Sequence, residues 1–122
     1  MIVEGITIPE AWKLQFPDYT TRFGSDFAAS LLMETGKTDA SGESLKVWYD
    51  FVMGTDPTDA ADRLKALIEM IDGQPSISHT PDVSGRKYTV WGTSTLQPAT
   101  WTKVPKGGES GYRFFKVSVE ME

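Results

Sequence analysis

His79 is the only histidine in this chain, and the chain contains no cysteine. Any serine-histidine-carboxylate relay must therefore use His79, which lies in Ser76-Ile77-Ser78-His79-Thr80-Pro81 at the expected end of a strand. No Gly-x-Ser-x-Gly elbow is present to raise a serine nucleophile on a strand-to-helix turn. Thiol nucleophiles, disulfides and zinc-thiolate sites are excluded outright. Gly107-Gly108 with Gly111 lacks the lysine-serine ending of a phosphate loop and leads into a strand rather than a helix. Carboxylate pairs for glycoside hydrolysis are available in any chain with 17 acidic residues, yet no pair stands out. The expectation is a protein without a catalytic centre.

Two other groups of residues could do chemistry by binding. The first is the segment Asp39-Ala40-Ser41-Gly42-Glu43-Ser44-Leu45-Lys46-Val47-Trp48-Tyr49-Asp50. It places oxygen-bearing side chains at the first, third, fifth and twelfth positions of a calcium loop: Asp39, Ser41, Glu43 and Asp50. The sixth position is Ser44, where the sharp turn wants glycine, and the third is a neutral hydroxyl. Weak calcium binding is one reading. The other is an ordinary turn with Ser44 as a helix N-cap.

The second group is aromatic and basic. Tyr88 and Val90 alternate with Lys87, Thr89 and Trp91, and Phe115 and Val117 alternate with Phe114 and Lys116. Alternation turns Trp91 and Phe114 away from the apolar side of their strands, with Lys87, Thr89 and Lys116 beside them. That face is either open or covered by the N-terminal helices, which must bury their own stripes. An exposed indole suits the apolar C–H face of a sugar ring, and the polar neighbours supply hydrogen bonds. Trp12, Trp48 and Trp101 are expected in the core.

The elements that must position these residues read as helices first and strands second. Pro9 to Phe16 opens with proline and stops before Pro17; Ser25-Asp26 caps a helix from Phe27 to Thr35 that ends at Gly36. A third helix spans about Ser44 to Met53 and ends at Gly54, with Leu45, Trp48, Phe51 and Val52 buried and Lys46 and Asp50 outside. Segment 60–71 satisfies a helix period through Leu64, Leu67, Ile68 and Ile71, but Asp72-Gly73 is a two-residue hairpin signal and favours a strand. Strands follow around Tyr88, over 101–104 and over the clean alternation to Met121. The expected class is α+β, short N-terminal helices packed on a C-terminal antiparallel β-sheet, in a single domain over 1–122 whose parts are 1–56 and 57–122.

With 122 residues the chain can bury a real core. Its 12 basic residues are scattered among the 17 acidic ones for a net charge of -5, which argues against nucleic acid and acidic membrane surfaces. No apolar stretch reaches the roughly 18 residues of a membrane span. No secretion signal is legible in Met1 to Ile8.

Asp39-Ala40-Ser41-Gly42-Glu43-Ser44, followed by Asp50-Phe51-Val52-Met53-Gly54-Thr55-Asp56-Pro57-Thr58-Asp59, resembles a thrombospondin type 3 or dockerin-like calcium repeat. The tail, with Tyr112-Arg113-Phe114-Phe115-Lys116-Val117-Ser118-Val119-Glu120-Met121, resembles the terminal β module that follows such repeats in large secreted bacterial proteins. The resemblance covers about 39–122. It implies an extracellular or cell-surface accessory module excised from a longer polypeptide, with the parent's other domains as neighbours and calcium as the one possible cofactor. It implies no enzyme activity. The expected function is carbohydrate binding through exposed aromatics, with a polysaccharide or glycan as partner; the alternative is a structural or anchoring C-terminal cap without a small ligand.

Overall fold

The computed structural model describes residues 1–39, 42–105 and 107–122. It forms two compact units, Met1–Arg63 and Leu64–Glu122. The class is α+β, with short helices in the first unit and antiparallel strands in both.

The first unit opens with a two-stranded ribbon, β1 (Ile2–Val3) and β2 (Ile6–Thr7), then a 3-10 turn over Glu10–Gln15 that buries Trp12. Pro17 ends that turn because the residue before a proline is pushed out of the helical region. Helix α1 (Tyr19–Phe23) follows, an element the sequence reading did not anticipate. Five residues suffice because Tyr19 and Phe23 stand four apart and both reach the core. Helix α2 (Phe27–Leu31) is capped by Asp26, whose side chain accepts from the Ala29 amide at 3.2 Å.

The expected helix to Thr35 is too long by a turn. The chain leaves the helix at Leu32 and becomes β3 (Glu34–Thr38), antiparallel to β4 (Ser44–Lys46). The cross-strand ladder outweighs the local helical pattern, since single-residue helix preferences are worth only tenths of a kcal/mol, about 0–0.7. The expected start of the third helix at Ser44 is corrected for the same reason. Helix α3 is Val47–Met53, with Lys46 as its N-cap residue and Gly54 in the left-handed region at its end. Asp50, expected on the outer face, is fully buried, as are Val47, Val52 and Met53, while Trp48 and Phe51 are half-buried.

Core residues of this unit come from the 3-10 turn, all three helices and the residue after β2: Ile8, Trp12, Tyr19, Phe23, Phe27, Leu31 and Val47. Trp12 meets Phe16, Tyr19 and Phe51 edge-on at 5.2–5.9 Å between ring centres. The helical stripes are thus buried against one another.

The second unit begins with the hairpin that Asp72-Gly73 announces. Strands β5 (Lys65–Ile71) and β6 (Gln74–Thr80) pair in unbroken register from Lys65↔Thr80 to Ile71↔Gln74. Asp72 and Gly73 both take positive φ, 52° and 78°, which is what a type I′ turn requires. The remaining strands, β7 (Arg86–Thr93), β8 (Thr102–Lys103) and β9 (Phe114–Met121), form one antiparallel sheet in the order β8-β7-β9. One face carries Tyr88, Val90, Val117 and Val119, and His79 of the hairpin stacks on Tyr88 at 4.2 Å. Gly92 lies where β7 passes closest to its neighbours: a Cβ there would sit 2.7 Å from the Tyr112 ring and 2.8 Å from Val104.

Among the described residues no helix is long and apolar enough to cross a membrane.

Candidate functional site

The opposite face of the β8-β7-β9 sheet collects the polar and aromatic residues. Register alone places them. Trp91 pairs with Lys116 on β9 and with Lys103 on β8, so the indole stands in a row between two lysines. Next along the strands come Thr89 opposite Ser118, then Lys87 opposite Glu120. In the other direction Thr93 stands opposite Phe114. All five residues expected to bind, Trp91, Lys87, Thr89, Phe114 and Lys116, therefore lie on one face of one sheet.

The indole of Trp91 is half-buried, and its Nε1 donates to Ser118 Oγ at 2.8 Å. That bond draws the ring toward β9 and fixes its orientation. Phe114 is 40 % exposed. Lys87 Nζ lies 4.0 Å from Glu120 Oε1, an exposed pair with little net energetic weight. Lys116 reaches in the opposite sense, with its Nζ 4.5 Å from the centre of the Trp101 ring. Trp101 is half-buried and belongs to this face, not to the core where the sequence reading put it. Lys103 and Ser118 were also missed. Only the pairing of three strands shows that residues so far apart in sequence share one surface.

A second cluster of charged groups lies in the first unit, where the sequence suggested calcium. Gly36, at φ 84°, interrupts the β3–β4 register, and on either side of it Thr35 and Lys37 both turn inward. Lys37 is 1 % exposed and Asp50 is completely buried. Lys37 Nζ donates three hydrogen bonds of 2.7 Å, to Asp50 Oδ1, Asp56 O and Asp62 O. An ammonium has three donors, and all are used. Asp50 Oδ1 also accepts from the Thr55 hydroxyl, while Asp50 Oδ2 has no partner among the described residues. Burial raises the Asp50 carboxyl above its ordinary value, against the opposing pull of Lys37 and Thr55.

Carboxylates of the following turn cap its own backbone. Asp56 accepts from Thr58 N at 2.8 Å, Asp59 from Ala61 N at 2.9 Å and Asp62 from Asp56 N at 2.7 Å. At the centre of this acidic segment the cation is the lysine itself. The residues expected to form a calcium loop have other partners here or lie outside the described residues. Asp50 is committed to Lys37, Asp39 Oδ1 accepts from the Glu43 amide, and Ser41 lies outside the described residues. Among the described residues, no three acidic or histidine side chains converge as metal ligands would.

His79 sits one residue from the end of β6, and its Nδ1 is 3.0 Å from the Pro81 carbonyl. A carbonyl can only accept, so Nδ1 carries the proton. A hollow of about 290 Å³ opens between Ile71, Pro75 and Ser76 of the hairpin and Gly107 and Glu109. The buried Glu109 carboxylate accepts from the Gly107 amide at 3.2 Å and so holds that loop.

No protein-family model, curated protein or solved structure matches this chain.

Proposed function

We propose that Leu64–Glu122 is a non-catalytic carbohydrate-binding unit and that the whole chain serves as an extracellular accessory module of a larger surface polypeptide. The observation that carries the reading is the gathering of Trp91, Trp101 and Phe114 with lysines and hydroxyls on one sheet face. Aromatic rings supply apolar platforms for the C–H faces of sugars, while Thr89, Ser118 and the lysines supply donors and acceptors to the ring hydroxyls. The sheet holds these groups in fixed register, which limits the entropy lost on binding.

The test is a pull-down of the full chain on a panel of insoluble and soluble polysaccharides, with Trp91→Ala in parallel. Retention on a glycan that Trp91→Ala abolishes, with far-ultraviolet circular dichroism unchanged, is the expected result. Absence of retention on every glycan, or equal retention by the variant, would sink the reading.

A second reading, an anchoring cap without a small ligand, is favoured by the hairpin. Leu67, Ile68, Met70 and Ile71 are 42–67 % exposed on it. Apolar groups so exposed fit a strand that meets the rest of a parent polypeptide.

A further inference from the structure

We infer that the open face of the β8-β7-β9 sheet takes an anionic polysaccharide, one whose sugar rings carry carboxylate or sulfate groups. This rests on the carbohydrate reading and narrows it to a substrate class.

Charge distribution is the first argument. Residues 1–63 hold 5 Lys and Arg against 11 Asp and Glu, whereas residues 64–122 hold 7 against 6. The whole negative balance of the chain therefore belongs to the first unit. Within the second unit the open face is more basic than the unit itself: Lys87, Lys103 and Lys116 rise from it, and Glu120 is the single carboxylate in its paired strand positions. Glu120 stands beside Lys87, so those two charges offset one another locally. That leaves Lys103 and Lys116 to set the local field.

Geometry is the second. Both lysines are direct cross-strand neighbours of Trp91, one on each side. Two strand spacings separate their backbones, about 10 Å, so the two lysine side chains leave the sheet from the strands on either side of Trp91. A neutral glycan gives such groups only hydroxyl acceptors, whereas an acidic one gives charge-assisted hydrogen bonds of roughly twice the strength. Lys116 spends its charge on the Trp101 ring at 4.5 Å, and an incoming carboxylate or sulfate would compete for it with a full opposite charge.

Single-stranded nucleic acid also presents flat rings and negative charge. The face favours the glycan: Arg86 lies on the other side of the sheet, in line with Tyr88, and the residues beside the Trp91 row are the hydroxyls Thr89 and Ser118. Phosphate tracking usually relies on arginine forks as well as lysines.

The experiment measures affinity of the full chain for polygalacturonate, chondroitin sulfate, neutral xylan and oligothymidylate, at low and physiological salt. The variant is Lys103→Gln/Lys116→Gln, with circular dichroism as the folding control. Expected are binding to at least one acidic glycan, weakening with salt, and a loss of about tenfold in the double variant, from two exposed charge contacts of up to about 1 kcal/mol each. Polygalacturonate against chondroitin sulfate separates carboxylate from sulfate recognition. Binding to xylan that is as tight and indifferent to both salt and the variant overturns the anionic inference and leaves the carbohydrate reading standing. No binding to any glycan overturns both, as does a preference for oligothymidylate over every sugar.

Discussion

Replacing Lys37 with methionine keeps the length of the side chain and removes its charge. In the native fold that one ammonium makes three hydrogen bonds of 2.7 Å and, among the described residues, is the only cation touching Asp50. Taken singly, hydrogen bonds to charged groups contribute about 1.5–3 kcal/mol each, but a straight sum ignores the desolvation of the lysine that the variant recovers. The better guide is the removal of one partner from a buried ion pair, about 3–5 kcal/mol. Domain stabilities are about 5–15 kcal/mol, so the variant should remain folded but weakened.

The loss should also depend on pH. Without Lys37 nothing opposes burial at Asp50 except the Thr55 hydroxyl, so its carboxyl shifts further upward. In acid the group is protonated with or without the lysine, and the penalty shrinks to lost hydrogen bonds. Urea unfolding of the full chain at acidic and neutral pH measures both quantities. Hydrogen exchange of the Gly54 and Thr55 amides, which bond to Asp50 O at 2.9 and 3.0 Å, localises them. A cost under about 1 kcal/mol at neutral pH, with exchange at 54–62 unchanged, would refute the assignment of Lys37 as the internal cation.

Other outcomes follow from the same contacts. Asp50 has a folded pKa above its ordinary 3.8, so its contribution is fully present below that value and is lost as pH rises through the folded one; Asp50→Asn should flatten this part of a stability-against-pH curve, and an unchanged slope would contradict the sign. Gly92→Ala places a methyl 2.7 Å from the Tyr112 ring, and overpacking of that kind should cost about 1–3 kcal/mol, seen as a lower urea midpoint. Ser30 Oγ gives its only proton to Phe27 O at 2.6 Å, so at 2.7 Å the Tyr19 hydroxyl must donate to Ser30. Tyr19→Phe should then cost about 0.5–1.5 kcal/mol, and a stabilised variant would show that this buried hydroxyl pair contributes nothing.

Much of this fold was legible residue by residue. Asp72-Gly73 can adopt the paired positive φ of a tight hairpin, so the turn and its two strands could be read locally. Alternation from Phe114 to Met121 fixed which side chains share a face, because the period of a strand leaves no choice. Gly54 marked the end of α3 for the same local reason, its tolerance of the left-handed region. These signals also placed Trp91, Lys87, Thr89, Phe114 and Lys116 on the side of their strands where the structure has them.

Pairing and enclosure were different matters. Residues 32–35 continue a helical pattern, and only the presence of β4 opposite makes them leave it. Asp50 reads as an outer helix position until Lys37, thirteen residues earlier, is found 2.7 Å away. Trp101 reads as core until Lys116 is seen above its ring. A strand's own sequence states which residues point the same way, but not which strand lies beside it. A buried charge is tolerable only where its counter-charge arrives from elsewhere in the chain. Those decisions belong to tertiary structure, because the free energy that settles them comes from groups distant in sequence.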